Sequence, residues 1–284
     1  MPLFSLFSGL RLLLIGLHLA HGALQAGLLF PLVGAPGRRR LTRAWSRQLL
    51  ALLGIRVEAG GDLAGIEGGL LAGNHISFID IFVINAVLPS AFVAKSEVRH
   101  WPLIGWLCRR SDTVFIERGS RKAAHQAHGQ MLAALAAGQR LAIFPEGTTT
   151  AGDRLLPFHA ALFQSAIDAA VPVHALALSY RGRDGTPSNA SAYIDEISLI
   201  DCLISVLEAG GMVARVELAA SYAPPLADRR HLAHHARQAI ATALAHGPDA
   251  IPASRCPDPD PANRRENPSR DPKQPLRNEA AMRQ

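Results

Sequence analysis

Between Leu12 and Gly37 the chain carries no aspartate, glutamate, lysine or arginine, and Arg38, Arg39 and Arg40 follow at once, with Arg43 and Arg47 behind them. A stretch of this length can cross a bilayer, which takes roughly 20 apolar residues, or lie deep within one leaflet. His18, His21, Gln25 and Pro31 interrupt it, so a membrane-embedded helix and a helical hairpin held in one leaflet both fit the pattern. The arginine cluster belongs on the cytoplasmic side, by the positive-inside rule and by its attraction to anionic headgroups. A cleaved signal peptide fits poorly, because Arg11 follows ten uncharged residues and the basic cluster comes after the apolar stretch. The composition agrees with a membrane partner: hydrophobic residues make up 49%, the formal net charge is +6, and aromatic residues at 6% offer few stacking platforms for nucleic acid. No nucleic-acid partner is expected.

Beyond the arginines, "LTRAWSRQLLALLG" (41–54) has apolar residues at three- and four-residue spacing and ends on glycine, the usual left-handed helix stop. Short apolar runs then alternate with helical stretches. Strands are expected at 55–59, 69–73, 91–95, 113–117, 141–145, 173–180 and 213–220, and helices at 77–87, 121–137, 157–169, 198–209 and 228–246. This alternation predicts an α/β fold, a mixed, mostly parallel sheet flanked by helices, behind the N-terminal membrane-embedded helix or hairpin. The expected division is an anchoring segment over 1–53, a globular domain over 54–247 and a tail over 248–284. The tail is dense in Pro, Asn, Arg and Asp and nearly free of large apolar residues. It cannot bury enough surface to offset its ordering entropy, so disorder is expected there.

The stretch "LLAGNHISFIDIFVIN" (70–85) is an apolar run bound for burial that nevertheless carries Asn74, His75 and Asp80. Residues five apart do not share a helix face as i and i+4 do. A His75–Asp80 pair therefore needs the histidine in the turn before a helix and the aspartate inside it. A carboxylate so placed can fix the imidazole tautomer and stabilise the imidazolium, and histidine's reference pKa of about 6.5 suits a general base. The plain alternative is a helix cap by Asn74 beside an incidental histidine and aspartate. In "LAIFPEGTTTAG" (141–152) a short buried strand runs into a glycine-containing loop. Its backbone N–H groups and the hydroxyls of Thr148, Thr149 and Thr150 suit phosphate oxygens, and Glu146 can position a cationic neighbour; an ordinary polar turn is the alternative. "TVFIERGSR" (113–121) delivers Arg118 at a strand end, where it can pair with phosphate or carboxylate or stand solvated. "AKSEVRHWPLIGWL" (94–107) adds Lys95 and an apolar turn and helix able to line an acyl groove.

Taken in order, "HISFID", "VFIERG", "FPEGT" and "VPVHAL" resemble the four sequence blocks of the 1-acylglycerol-3-phosphate acyltransferase family, the glycerophospholipid acyltransferases, across residues 70–180. The resemblance implies that His75 deprotonates the free glycerol hydroxyl of a lysophospholipid, which attacks an acyl thioester on coenzyme A or acyl carrier protein, while Asp80 orients His75. It also implies that Arg118, Lys95 and the loop of Glu146, Gly147 and Thr148 hold the acceptor phosphate, and that Val171 and Pro172 shape the acyl or acceptor pocket. No metal and no cofactor beyond the acyl donor is implied, because a thioester is already activated and positioning with a base suffices. The implied setting is the inner (cytoplasmic) membrane, with the catalytic domain facing the cytoplasm and membrane lipids and the acyl carrier as partners. One departure bears on the acceptor. Many members have arginine after "FPEGT", whereas here Thr149 follows Thr148 and no arginine appears until Arg154. This form is similar to a branch that includes acyltransferases acting on lyso-ornithine lipids. The expected acceptor is 1-acyl-sn-glycerol-3-phosphate, giving phosphatidate; an amino-acid-containing lyso-lipid is the alternative.

Two readings from other classes compete. A non-catalytic lipid-binding protein would share the basic, membrane-embedded front end but would not need His75, Asp80, Arg118 and the Pro-Glu-Gly-Thr loop together. A metalloenzyme could use His231, His234 and His235 in "RRHLAHHARQ", but no acidic third ligand stands at a compelling spacing, and a solvated helix face explains the pattern. The three cysteines, Cys108, Cys202 and Cys256, form no CxxC pair, which argues against a disulfide framework or a structural zinc site, and Cys108 reads as a buried structural thiol.

Overall fold

The computed structural model describes residues 2–117, 119–194 and 197–246. Arg118 and the expected disordered tail, with Cys256, lie outside the described residues.

The sheet is organised around β2 (Gly69–Gly73), an apolar run buried along its whole length. Such a strand needs sheet neighbours on both edges and helices on both faces. It pairs in parallel with β5 (Arg140–Ile143) and with β6 (Val173–Gly182). Beyond β5, the strands β3 (Ala91–Lys95) and β4 (Val114–Ile116) continue the parallel arrangement. Beyond β6, β7 (Met212–Tyr222) runs antiparallel, and β1 (Ile55–Gly60) pairs in parallel with β7. The order is β1-β7-β6-β2-β5-β3-β4, the mixed, mostly parallel sheet that the alternation of apolar runs and helices predicts.

Side chains alternate across a strand, so Leu70 and Ala72 face one helical layer and Leu71 the other. On the first face, α5 (Arg121–Ala136), α6 (Gln164–Asp168) and α8 (Arg229–His246) contribute Met131, Leu135, Ala166, Leu232 and Ile240. On the second, α2 (Ala35–Leu52), α3 (Asp80–Val87) and α7 (Leu199–Glu208) contribute Leu49, Leu50, Val83, Ile84 and Val206. A short α4 (Ile104–Arg110) joins β3 to β4.

Two helices are shorter than their apolar periodicity suggests. The one expected over 77–87 starts at Asp80, because the N–H groups of Ile76 and Ser77 donate to the Asp80 carboxylate and hold that segment in a turn. The one expected over 157–169 reduces to a 3₁₀ turn at Ala160–Phe163 followed by α6. Pro157 disfavours helix at the residue before it, and the His159 N–H donates to the Pro145 carbonyl at 2.8 Å, which ties this stretch to the loop after β5.

At the N-terminus α1 (Pro2–Leu24) runs into a π-helical turn, Gln25–Leu29, and the chain reverses into α2, which has proline in its first turn. The result is a helical hairpin. His18 and Trp45 tie it together: the Trp45 indole N–H donates to the His18 carbonyl at 3.1 Å, His18 Nε2 lies 3.0 Å from the Trp45 carbonyl, and the two rings stack at 4.9 Å. A Cβ on Gly22 would fall 2.5 Å from the Trp45 indole, so only glycine allows this approach. The histidine that interrupts the apolar run is thus the clasp of the hairpin. Among the described residues Gly9–Leu29 is the one helix long and apolar enough to cross a membrane, and Leu10, Leu13, Leu17, Leu24 and Leu28 along it are exposed.

The inner side of α2 belongs to the core of the sheet domain, where Leu50 is 1% exposed. Two of the arginines expected to face headgroups are engaged elsewhere: Arg43 donates to the Val87 carbonyl at 2.8 Å and Arg47 to the Ala86 carbonyl at 2.9 Å. They satisfy the last carbonyls of α3, where a cation also complements the helix dipole. Leu50→Ala should lower the unfolding free energy by about 2–5 kcal/mol in denaturant titrations, the cost of a core cavity, whereas Leu13→Ala, on the exposed side of α1, should leave it nearly unchanged.

Candidate active site

Open α/β sheets place ligands outside the carboxyl ends of their strands, and the residues singled out by spacing collect at that edge. Asn74 and His75 follow β2, Phe144 and Glu146 follow β5, and Lys95 ends β3 with an exposed side chain. β3 stands two strands from β2, a distance of roughly 10 Å at the usual strand spacing. Arg118, just beyond β4, lies outside the described residues.

His75 is held through its ring and through its backbone. Its Nδ1 lies 2.9 Å from Asp80 Oδ2, the histidine in the turn and the aspartate at the first residue of α3. The ring stacks on Phe144 with centroids 4.0 Å apart and an interplanar angle of 8°. Its N–H donates to Glu146 Oε1 at 2.8 Å, and its carbonyl accepts the Thr150 N–H at 2.9 Å. The opposite ring nitrogen, Nε2, has no hydrogen-bond partner among the described residues, and the side chain keeps 19% of its surface open. A histidine with Nδ1–H donated to a carboxylate carries its lone pair on Nε2, the atom able to accept a proton.

Asp80 is fully buried, and a buried carboxylate is stable only when its oxygens are satisfied. Oδ2 accepts from His75 and from the N–H groups of Ile76 at 2.7 Å and Ser77 at 2.9 Å. Oδ1 accepts from the Tyr180 hydroxyl at 2.6 Å. Burial, and then the Asp80 charge, hold the Tyr180 phenol well above its ordinary range, so it stays a donor. Tyr180 sits on β6, a hundred residues from Asp80, and no local pattern marks it. Its only signal in the sequence is a hydroxyl-bearing residue at the end of an apolar strand.

Asn74 is not a helix cap. Its side chain acts as an extra rung of sheet, with Oδ1 accepting the Leu178 N–H at 2.7 Å and Nδ2 donating to the Leu178 carbonyl at 2.9 Å. This pins the turn after β2 to β6, beside Tyr180.

The Pro-Glu-Gly-Thr loop departs from the reading of a phosphate cradle. Glu146 is 5% exposed, and both carboxylate oxygens are taken by backbone: Oε1 by the His75 N–H and Oε2 by the Leu156 N–H, each at 2.8 Å. It therefore positions His75 and offers no oxygen to a substrate. Burial pushes its carboxyl up to about 7; the Asp80 charge adds to that, and the two amides and Arg237 oppose it. The Gly147 N–H closes the turn onto the Phe144 carbonyl, the Thr149 hydroxyl donates to the Tyr193 carbonyl, and the Thr150 hydroxyl lies 3.3 Å from the Arg154 carbonyl. Thr148 is the exposed threonine of the loop. Val171 and Pro172 are also misplaced by the pocket reading. They precede β6, whose Val173 pairs with Leu70 at the start of β2, roughly 13 Å of strand from the edge that carries His75.

The other candidates do not assemble a site. Burial pushes the Cys108 thiol up, opposite to the activation a nucleophile needs. His231, His234 and His235 are exposed on α8, and among the described residues no group of three or more His, Cys, Asp and Glu side chains is gathered to hold a metal. An open groove between β7 and α8 is bordered by Arg215, Tyr222 and His235.

A histidine held by a buried aspartate at the carboxyl edge of a mostly parallel sheet is an arrangement chemically able to take a proton from a hydroxyl. Residues 55–179 match the Acyltransferase family. The chain is 39% identical over 209 residues, covering 74% of it and 80% of the relative, to a lyso-ornithine lipid O-acyltransferase of Pseudomonas aeruginosa. It is also 39% identical over 186 residues, 65% of it and 72% of the relative, to a 1-acyl-sn-glycerol-3-phosphate acyltransferase of Neisseria meningitidis. The crystal structure of the 1-acyl-sn-glycerophosphate acyltransferase PlsC from Thermotoga maritima shares the fold, with a TM-score of 0.57 at 20% identity over 82% of this chain and 94% of that one. The protein belongs to the acyltransferase family and, with its apolar N-terminal helix, is membrane-associated.

Tyr180→Phe should lower kcat by about tenfold with little change in KM, because the donor to Asp80 is lost while the substrate contacts remain. The acidic limb of the pH–rate profile should move with it, a change that a packing defect alone would not produce. Glu146 makes a separate, pH-dependent contribution. Its carboxyl titrates near 7 in the folded chain against 4.5 in the unfolded one, so between these values the folded state binds more protons and stability falls as pH rises. The destabilisation caused by Glu146→Ala in thermal unfolding should accordingly be larger at low pH than above neutrality, by no more than roughly 3 kcal/mol.

Proposed function

We propose that the protein transfers an acyl group from a thioester of coenzyme A or acyl carrier protein to the free hydroxyl of a lysophospholipid, with 1-acyl-sn-glycerol-3-phosphate as acceptor and phosphatidate as product. The observation that carries the reading is His75, fixed at Nδ1 by Asp80 and left at the sheet edge with an Nε2 that has no partner among the described residues. Nε2 takes the proton of the acceptor hydroxyl as its oxygen attacks the thioester carbonyl. The tetrahedral intermediate collapses with cleavage of the C–S bond, and the imidazolium returns its proton to the departing sulfur. Asp80 stabilises the imidazolium between these steps. Lys95, Arg118 and the Thr148 hydroxyl supply the acceptor's phosphate with cations and a donor, while Glu146 holds the His75 backbone. The acyl donor is a co-substrate, and neither a metal nor another cofactor is needed for a leaving group already activated as a thioester.

The lipid substrates explain the hairpin, since acceptor and product both partition into the bilayer. We place the domain on the cytoplasmic face of the inner membrane, on the strength of the basic residues that follow the apolar helix.

Thr149 favours a second acceptor. It stands where many acyltransferases of this kind have arginine, and its hydroxyl is turned to the Tyr193 carbonyl, so the loop brings no cation of its own to a phosphate. An amino-acid lipid such as lyso-ornithine lipid would not require one, and the Pseudomonas aeruginosa relative bears that activity in its name.

Purified protein in lipid nanodiscs, given one acyl thioester with lysophosphatidate and lyso-ornithine lipid in parallel, should form phosphatidate by mass spectrometry. Preferential acylation of the amino-acid lipid would establish the second acceptor. His75→Ala, still membrane-bound, should lose about 10²–10⁴-fold with either; unchanged turnover would exclude His75 as the base.

A further inference from the structure

The segment between β3 and the end of α4 takes no part in the hydrogen bonds around His75, yet it presents the most concentrated apolar surface outside the N-terminal hairpin. Trp101 is 40% exposed, Leu103 47% and Ile104 38%, all within one turn. That turn is strained. Leu103 has φ +61° and ψ −54°, and the Ile104 N–H donates to the Pro102 carbonyl at 2.6 Å, which makes Leu103 the apex of a positive-φ γ-turn, a rare conformation costly for a branched residue. Gly105 makes the turn possible, since a Cβ there would fall 2.2 Å from the Arg99 carbonyl. The surrounding structure therefore holds a leucine outward at a cost in backbone energy.

The neighbourhood identifies what the tip faces. The Trp106 ring packs against Gly27, within 3.5 Å of where a Cβ would stand, so the segment is fastened to the final turn of the apolar helix. Its rim is cationic. Arg110 lies over the Trp106 ring at 5.5 Å, and Arg109 braces the Arg99 carbonyl at 3.1 Å. Of the acidic residues nearby, Asp112 is matched by Arg38 at 3.9 Å, while Glu97 accepts from the Ser96 hydroxyl. Tryptophan and aliphatic side chains ringed by arginine match the boundary between acyl chains and anionic headgroups.

We infer that residues 101–104 insert into an anionic phospholipid surface beside the end of α1, a second membrane contact that fixes the sheet domain's orientation on the bilayer. The inference rests on the membrane association of the hairpin. With contacts on both the hairpin and this turn, the domain cannot swivel about a single helix, and the strand edge bearing His75 keeps one attitude toward the lipid. Patches of this composition can also receive an acidic carrier protein; continuity with Gly27 favours the membrane.

The test uses the full chain on vesicles of zwitterionic and anionic phospholipid, with and without bromine in the acyl chains. Brominated lipid should quench Trp101, so that the quenched share of tryptophan fluorescence falls in Trp101→Phe. Leu103→Gly supplies the opposing readout: relief of the positive φ should raise Tm, yet acyl transfer to acceptor embedded in vesicles should fall by about tenfold while transfer to detergent-dispersed acceptor stays within about twofold, because less apolar surface enters the bilayer. Trp101 that brominated lipid leaves unquenched would overturn the proposal, as would equal loss in both presentations. A defect confined to donors on acyl carrier protein would assign the patch to that protein instead. Quenching does not depend on turnover, so a failure to acylate lyso-lipids would count against the catalytic reading and leave this one standing.

Discussion

The arrangement of the site depends on one buried carboxylate. Asp80 has no exposed surface, and in that environment an unsatisfied charge would cost several kcal/mol. Four donors prevent this: the His75 ring, two backbone amides of the turn that precede it, and the Tyr180 phenol. Each also does something for the site. The amides shape the turn that lifts His75 to the sheet edge, the imidazole acquires a defined tautomer, and the phenol ties α3 to β6. The position of Asp80 at the first residue of a helix adds the favourable field of the helix N-terminus.

A second layer of support reaches His75 through its backbone. Glu146 and Thr150 bind its N–H and its carbonyl, and Phe144 lies beneath its ring, so the loop after β5 grips the residue on three sides. This gives Glu146 a purpose different from contact with a phosphate. The carboxylate of Glu146 faces inward because the β2 turn and the Leu156 segment would each otherwise bury an amide without a partner.

The same helix that carries Asp80 is joined to the membrane hairpin. The last carbonyls of α3 are held by Arg43 and Arg47 of α2, and α2 is clasped to α1 by His18 and Trp45. Three short connections thus link the apolar helix to the His75–Asp80 pair. Because α2 also buries Leu49 and Leu50 in the core, the anchor and the sheet domain share one hydrophobic interior.

Local pattern was enough for much of this. All seven strands lie where apolar runs bounded by turn residues predict them, most plainly at the centre, where β2 is buried along its whole length and has an unbroken apolar composition. The His75–Asp80 pairing was legible from a five-residue spacing, since the two side chains belong to one turn. Helix onsets were less so, because Asp80 and Pro157 end the competition between turn and helix through hydrogen bonds that periodicity does not register. Long-range partners were not legible at all: Tyr180 reaches Asp80, Asn74 reaches Leu178 and Glu146 reaches His75 across 71 to 104 residues. The directions of Glu146 and Thr149 likewise depend on which backbone groups the folded sheet brings alongside them. Sequence by itself determined the elements, the long apolar N-terminal segment and the His75–Asp80 pairing, because these follow from hydrophobic period and from contacts within one turn. Tertiary structure alone decided which polar groups support His75 and which stay exposed at the sheet edge, because each buried donor and acceptor is matched to a partner that only the packed sheet supplies.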